Sequence, residues 1–463
     1  MATFPYFALS PNAILSIVGL LHGPDDTVPT PPEDWRQATV DVVIPALNEE
    51  SNIALCLASL ARQTMKPKRI ILIDDGSSDH TIEYAQTFCQ LSGMELVAIH
   101  RQAPIGKTPT LKRQSREFDS NVEFILDADT VLESENYIAR TVEELYKGAG
   151  IASACGTILP LRDHDRRALL ETEALQKFLS AKPEASIYPK VGWLRHLQRG
   201  LSDLYRDVLY MFLQRFVYHG QMVFFGSILN PVGCAVAYRR EVLKNMVFDR
   251  YEPILGDDLT NSEDIFIGFA FTDNGYRNIQ LMDVYARSQE PEARRIPHQV
   301  YLWSSSFLQS CFYFDELMRS PFKAPKRYLH HRREQREIGQ EIAQKRKIKE
   351  QYRQAFGIDY TLKYGRPIGW VLFMSAVEKI AFPTVLVMMA IMQLWWAIGY
   401  TVLLETVLSL AVLFAVAKGQ RFQYLLKGIA VVPMRYMVIL FDLVTMFRFA
   451  ADLWIFGNRR WRK

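Results

Sequence analysis

The chain of 463 residues is predicted to be an α/β protein, a doubly wound, mostly parallel sheet domain followed by a C-terminal α-helical membrane region. Three observations carry this. Short β-branched runs alternate with helical patterns from residue 38 onward, which is the mark of parallel β-α-β units. Two of those runs end in acidic clusters, and in such sheets ligands bind outside the carboxyl ends of the strands. From residue 366 the chain becomes far more apolar than its overall hydrophobic share of 49%. The expected organisation is a membrane-associated segment and linker over 1–37 and the sheet domain over 38–320. A basic amphipathic linker helix over 321–365 and transmembrane or interfacial helices over 366–463 complete it.

Taken in order, "FPYFALSPNAILSIVGLLHG" has a short apolar centre but no basic n-region and no clear cleavage site, so a secretory signal is not expected. Pro11 interrupts it and its length is marginal for a span. Residues 5–22 therefore read as an interfacial anchor or a poor transmembrane helix. The acidic, Pro-rich "HGPDDTVPTPPEDW" reads as a linker. "TVDVVIPALNEE" is a first strand and turn, "SNIALCLASLARQT" a helix, "KRIILIDDGSSDHT" a second strand ending in acids, and "HTIEYAQTFCQLSG" a second helix. "MELVAIHR" and "VEFILDADTVL" read as the third and fourth strands. Beyond residue 150, "GIASACGTILPL" resembles a strand and "NPVGCAVAYRREVL" a loop, strand and helix start. "SEDIFIGFAFTDNGYRNIQL" reads as an acidic helix start, a Gly stop and a further strand. No internal repeat is visible.

In the C-terminal region, 380–400 and 401–417 are each near the length needed to cross a bilayer, with Trp395 and Trp396 placed as interfacial aromatics. Residues 428–456 are apolar but carry Arg435, Asp442 and Arg448, so spanning, re-entry and an interfacial position all stay open. The basic loop "KGQRFQYLLK" and the terminal "NRRWRK" both favour the cytosolic side, and a 380–417 hairpin satisfies both. Between Lys326 and Arg353 ten Lys/Arg face four Asp/Glu, a cluster suited to anionic lipid head groups or to a solvated basic helix. A net charge of +4 is too small to argue for nucleic acid. Five scattered cysteines with no Cys-x-x-Cys argue against a disulfide framework or zinc site and fit a reducing compartment.

The acids are the chemical signal. If "VEFILDADTVL" is one strand, Asp127 and Asp129 share a face. Two carboxylates there repel one another unless a cation lies between them. Hard oxygen ligands suit Mg²⁺ or Mn²⁺, which keep positions open for phosphate oxygens.

"VVIPALNEE", "ILIDDGSSDHT", "IGKTPTLK", "ILDADT" and "SEDIFIGFAFTDNGYR" occur in this order at workable spacings. As a set they resemble the inverting, nucleotide-sugar-dependent glycosyltransferases of family 2, a group with the GT-A fold that holds cellulose, hyaluronan and chitin synthases. The resemblance covers roughly residues 38–310. It implies that Pro45 to Glu49 touch the nucleotide, that Asp74 or Asp75 holds the nucleobase, and that Lys107 neutralises the diphosphate. It further implies that Asp127 and Asp129 serve the metal and diphosphate, with Asp127 also counted among the nucleotide-binding residues. This chain has Lys112 where the family often has Asn. Asp264 matches the general base. Asp257-Asp258 is a rival, but Asp264 lies 11 residues before Gly275, about the family's spacing, against 17 from Asp258.

The resemblance also places Gly233, Cys234, Glu263, Gln299 and Trp303 on the acceptor and diphosphate side. The family's Gln-x-x-Arg-Trp has Leu302 in place of Arg here, and Arg294 and Arg295 are candidates to supply the charge. The function expected is a membrane-anchored inverting glycosyltransferase. It would move a sugar from a nucleotide-sugar, with UDP favoured by resemblance, to a lipid, lipid-linked or glycan acceptor. Its site would face the cytosol at the cell membrane, with homo-oligomers compatible and no nucleic acid partner. A processive polysaccharide synthase is the alternative within the family. A catalytically silent nucleotide-binding scaffold subunit is the alternative outside it.

Overall fold

The structure is a computed structural model that describes residues 10–22, 34–148, 150–188, 192–251, 262–338 and 357–457. Its core is one sheet of eight strands: β1 (Val40–Ala46), β2 (Arg69–Asp74), β3 (Leu96–His100), β4 (Val122–Leu126), β5 (Thr130–Leu132), β6 (Ile151–Pro160), β7 (Ala235–Arg239) and β8 (Arg277–Ser288). The spatial order is β3-β2-β1-β4-β7-β6-β8-β5. β1 to β4 are mutually parallel. β7 is antiparallel to both β4 and β6, so β6 and its parallel neighbour β8 run with the first four, and β5 closes the edge antiparallel to β8. This is the mostly parallel α/β sheet that the alternating pattern predicts. Helices cover both faces, which is why β1, β2 and β4 read as nearly unbroken apolar runs. Among the polar exceptions, buried Asp41 of β1 is held by Arg69 directly across the β1–β2 register at 3.0 and 2.8 Å.

The expected single strand over "VEFILDADTVL" is two. β4 stops at Leu126, Asp127 to Asp129 form a turn closed by the Thr130 N–H donating to the Asp127 carbonyl at 2.9 Å, and β5 leaves for the opposite edge of the sheet. Asp127 and Asp129 therefore do not share a strand face.

At the C-terminal end, two helices are long and apolar enough to cross a membrane, Gly369–Ile391 and Trp395–Val416. Their boundary differs from the predicted one because Gln393 adopts a left-handed φ of 57° and breaks the run. Trp395 and Trp396 thus open the second helix, largely exposed. The third apolar stretch forms Arg421–Ala430 and Val432–Trp454, bent 54° at the break between them. Two of its charges have partners on the two apolar helices. Asp442 accepts from Lys379 Nζ at 2.9 Å and from the Ser304 hydroxyl, and Arg435 pairs with Glu405 at 2.6 Å. The N-terminal Pro11–His22 helix joins the same bundle through Asn12, whose backbone N–H donates to Glu378 at 2.9 Å. Part of the basic stretch from Lys326 forms the Ala324–Ile338 helix, where Arg327 turns inward and donates to the Tyr364 carbonyl at 2.9 Å. Its remainder from 339 to 353 lies outside the described residues.

Breaking one buried pair while leaving its partner charged costs about 3–5 kcal/mol, whereas replacing both partners by apolar groups is often neutral. In detergent, Asp442→Leu is expected to lower the thermal midpoint by several degrees. Lys379→Met combined with it recovers most of that loss, as read by intrinsic fluorescence on heating.

Candidate active site

The carboxyl ends of β1, β2 and β4 lie side by side, and three loops leave from them. Asn48, in a left-handed turn after β1, donates its N–H to Ser77 and accepts from the Ser78 N–H, so the first two loops are laced together. Asn tolerates this conformation because its short side chain bonds locally. In the same loop half-buried Pro45 is the last residue but one of β1, and the Glu49 N–H donates to the Thr81 hydroxyl at 2.8 Å. The Glu49 carboxylate accepts from Asn52 at 2.6 Å.

Asp74 and Asp75 at the end of β2 are both buried. Asp74 accepts from the Ser77 N–H and lies 2.6 Å from His100 Nδ1. Asp75 accepts from the Ile105 N–H at 3.0 Å, the Gly106 N–H at 2.8 Å and Arg101 at 3.0 Å. Burial pulls its pKa up, but these donors outweigh it and hold the carboxyl below the usual range. The clamp fixes the loop before the Lys107–Glu117 helix, and Gly106, at φ +96°, makes a turn that an L side chain would strain. Lys107 is therefore delivered at a helix start, a position the helix dipole disfavours for a cation.

Carboxylates compensate. The Lys107 ammonium lies 2.7 Å from Asp127 Oδ1 and 2.9 Å from Glu263 Oε1, and it donates to the Gly233 carbonyl at 3.1 Å. Burial would lower its pKa, yet Asp127 and Glu263 overcome this and keep it well above the ordinary lysine value. Four chain segments distant in sequence thus meet at one ammonium. β7 makes this possible because it is antiparallel to β4. Its start lies beside the end of β4, with Leu126 opposite Ala235, and the Asp127 N–H donates to the Cys234 carbonyl at 2.9 Å.

Glu263 and Asp264 open the Glu263–Asp273 helix. Asp264 accepts from the Gly233 N–H at 3.3 Å, and a Cβ on Gly233 would sit 2.8 Å from the Asp264 Cβ, so only glycine allows this approach. Burial first and Glu263 second push the Asp264 carboxyl above its usual range. Asp129 faces the other way, accepting from the Thr130 and Ser288 hydroxyls at 3.2 and 3.4 Å. Burial, then Glu49 and Asp127, raise it strongly. Among the described residues no set of three His, Cys, Asp or Glu is close enough to hold an ion alone. Asp127 and Asp129 with Glu49 behind them nevertheless offer hard oxygens only, in a negative excess that a divalent cation relieves, so the donor set fits Mg²⁺ or Mn²⁺ completed by substrate oxygens.

Gln299 and Trp303 belong to an adjoining group centred on Arg206 of the Trp193–Phe212 helix. This buried guanidinium donates to Gln299 Oε1, lies 4.5 Å from the Trp303 ring centre, and is 3.3 Å from Glu290. Glu290 also accepts from the Tyr210 hydroxyl at 2.7 Å. The positive charge beside Gln299 and Trp303 therefore comes from Arg206, which the sequence reading missed. Exposed Arg294 instead pairs with Glu292 at 2.7 Å. The signal available was an arginine on the inward face of an amphipathic helix. Arg166 was also missed; it braces Asn52 and Gln289 at 2.8 and 2.5 Å. The rival pair Asp257-Asp258 lies outside the described residues.

Comparison with known proteins places this geometry. The family model described as "Glycosyl transferase family 2" matches residues 41–247. A stretch of 99 residues is 32% identical to the PGL/p-HBAD biosynthesis glycosyltransferases of Mycobacterium tuberculosis and Mycobacterium bovis, covering 21% of this chain and 38% of theirs. Among solved structures, a mannosyltransferase from Pyrobaculum calidifontis in complex with GDP-Man and Mn²⁺ is similar over 96% of this chain and 94% of its own, at 15% identity and a TM-score of 0.49. Glucosyl-3-phosphoglycerate synthase from Mycobacterium tuberculosis, with Mn²⁺, UDP and phosphoglyceric acid, is similar over 59% of this chain and 79% of its own, at 16% identity and a TM-score of 0.35. The loops that converge on Lys107 from β1, β2, β4 and the start of β7 all fall inside the matched segment, and this chain carries a glycosyl transferase family 2 domain at residues 41–247.

Proposed function

We propose that the chain is a membrane-anchored inverting glycosyltransferase that moves a sugar from a nucleotide-sugar to a lipid, lipid-linked or glycan acceptor. One observation supports this most: Lys107 bridges Asp127 and Glu263 at the carboxyl edge of a family 2 domain while Asp264 is held beside Gly233. Residues 38–320 act as the catalytic unit, and the two apolar helices anchor it with the site toward the cytosol.

Pro45 to Glu49 and the end of β2 form the nucleotide side. Asp74 or Asp75 accepts from the nucleobase, and UDP is the nucleotide that the motif resemblance favours. Lys107 exchanges part of its carboxylate contacts for the diphosphate. Asp127 and Asp129 hold the divalent cation, which when bound offsets the charge that develops on the departing diphosphate. Asp264 takes the proton from the acceptor hydroxyl. That oxygen then forms its bond to the anomeric carbon as the bond from the carbon to the diphosphate oxygen breaks, and the electron pair leaves with the diphosphate. Attack opposite the leaving group inverts the anomeric centre. A carboxyl raised by burial and by Glu263 is suited to this task, because its proton affinity lies closer to neutral pH. Gly233, Cys234, Gln299 and Trp303 line the acceptor side, with Arg206 orienting the last two.

Nucleotide release by the purified protein, screened over UDP-, GDP- and dTDP-sugars with Mn²⁺ or Mg²⁺ and membrane lipids, tests the proposal. Asp264→Asn is expected to lower turnover by roughly 10²-fold or more while nucleotide binding survives. The wild-type rate should fall with acid below a pKa lying above the ordinary carboxylate range, and this limb should vanish from the residual activity of the variant. An unchanged rate in Asp264→Asn overturns the base assignment. Activity of the wild type should be lost in EDTA and regained with Mn²⁺, whereas Asp129→Ala should need far more Mn²⁺ for half-maximal rate. Normal activity of Asp129→Ala in EDTA excludes the metal role. Gly233→Ala, which drives a methyl group into Asp264, should reduce turnover about tenfold or more with little change in nucleotide affinity.

A further inference from the structure

We infer that one side of the Trp193–Phe212 helix, between Arg195 and Arg206, binds the acceptor, and that it takes a neutral, hydroxyl-rich group, a sugar or polyol. The inference rests on the transferase reading above and narrows its acceptor to one chemical class. Residues 195, 199, 202, 203, 206 and 210 fall on the same side of this helix, because positions three and four apart lie above one another. Both ends of that side are tied to the segment after β8. Arg195 lies 3.6 Å from Glu292, Arg206 lies 3.3 Å from Glu290, and the Tyr210 hydroxyl donates to Glu290 at 2.7 Å. The same segment reaches the sheet edge, since the Gln289 N–H donates to the Asp129 carbonyl at 3.1 Å. This side of the helix therefore extends the group of Arg206, Gln299 and Trp303 toward residue 195. From Arg206 back to Arg199 is about 10 Å of helix axis.

Between the two ties, polar atoms stand unused. Among the described residues, Gln198 Oε1, Arg199 Nε and Ser202 Oγ are buried without a hydrogen-bond partner, and Ser202 is fully buried. Buried polar atoms are nearly always paired, so a run of them along one stretch of helix marks a place where partners arrive with a ligand. The run combines an amide oxygen that accepts, a guanidinium nitrogen that donates and a hydroxyl that does both. A sugar or polyol answers all three, because each of its hydroxyls also donates and accepts. A phosphate or carboxylate would satisfy Arg199 but would meet the Gln198 oxygen and the Asp203 carboxyl on the same stretch. Burial first and Glu290 second push Asp203 up to about 7, with Arg199 acting against them, so near neutral pH its carboxyl can donate as well as accept. That versatility again suits a hydroxyl.

The other side of the helix is apolar. In its first half Trp193, Leu194, Leu197 and Leu201 are exposed. In its second half Val208 and Phe212 line a cleft together with Leu410 and Leu413 of the Trp395–Val416 helix, one of the two apolar enough to cross a membrane. The polar side is thus turned to the segment that reaches the sheet edge, and the apolar side continues toward the anchoring helices. This order suits a hydroxyl-bearing head group that enters from a lipid surface, and a free glycan carries the same chemistry.

Hydrogen–deuterium exchange on the full-length protein, with EDTA and without nucleotide, tests the site apart from turnover. One arm compares nanodiscs of phosphatidylcholine alone with nanodiscs that also contain monoglucosyl diacylglycerol or phosphatidic acid. The other adds maltose to the protein in a detergent without sugar head groups. Protection of 195–206 by monoglucosyl diacylglycerol supports a lipid-borne acceptor, and protection by maltose supports a soluble glycan. Protection that phosphatidic acid gives equally, or that no probe gives, overturns the inference. Ser202→Ala should raise the half-saturating amount of the effective probe roughly tenfold while the thermal midpoint stays or rises, because no partner is lost from the ligand-free fold. Gln198→Leu should behave in the same way and serves as the second variant. Protection undiminished in both variants, or a midpoint that falls in both, makes this side of the helix structural and overturns the inference. Protection by a sugar probe with no nucleotide release from any donor marks the transferase reading, and not this site, as the failure.

Discussion

The sheet edge depends on one electrostatic constraint: four acidic side chains, Glu49, Asp127, Asp129 and Glu263, are drawn into a small volume around a single lysine. Carboxylates in such a group raise one another's pKa and oppose folding unless something positive stands among them. Lys107 satisfies two of them directly. It can do so only because Asp75 fixes the preceding loop through the Ile105 and Gly106 amides. One aspartate of the "DD" pair thus positions the cation that another strand's aspartate requires. Asp129 and Glu49 have no such contact with Lys107, and burial first, with neighbouring carboxylates after it, raises both.

The same constraint explains why an antiparallel strand sits in the middle of a parallel sheet. A parallel β7 would begin at the amino edge, far from Asp127. Running against β4, it presents Gly233 and Cys234 at the carboxyl edge, where their carbonyls accept from Lys107 and from the Asp127 amide. The missing side chain at Gly233 then lets the Glu263–Asp273 helix bring its first turn within reach. Glu263 and Asp264 are adjacent in sequence but differ in duty, since the first meets the lysine and the second meets a backbone N–H. Opposite roles for neighbouring acids follow from opposite surroundings.

Much of this was legible beforehand. β1, β2, β3, β6 and the first helices fall where the period of apolar residues placed them, and the acids of "IDDG" and "LDAD" do lie at the carboxyl edge. What failed were inferences that needed three dimensions. The strand through Asp127 and Asp129 was read as continuous because Thr130-Val-Leu has strand chemistry, yet it belongs to β5 at the far edge. The apolar run from 380 to 400 has its glycine at 399, six residues past the break, so the break at Gln393 had no local mark. The partners of Arg435 and Asp442 could not be chosen from the sequence either. Lys379 and Glu405 each lie tens of residues away, and only helix packing selects them.

Arg206 shows why a departure from a motif need not be a loss of its chemistry. Leu302 is buried, and an arginine at that position would have to place its charge within the helix packing. The charge instead enters from the Trp193–Phe212 helix and stacks on Trp303 while bonding Gln299, so the same two side chains keep a guanidinium between them. The substitution also changes what the site is attached to. Asp207, the next residue on that helix, pairs with Lys427 of the Arg421–Ala430 helix at 2.6 Å and with Arg162. A guanidinium at position 302 would have been carried by the helix of Gln299 and Trp303 itself. Supplied by Arg206, it links the group around Gln299 and Trp303 to the Arg421–Ala430 helix, which gives the two parts of the chain a physical reason to be joined.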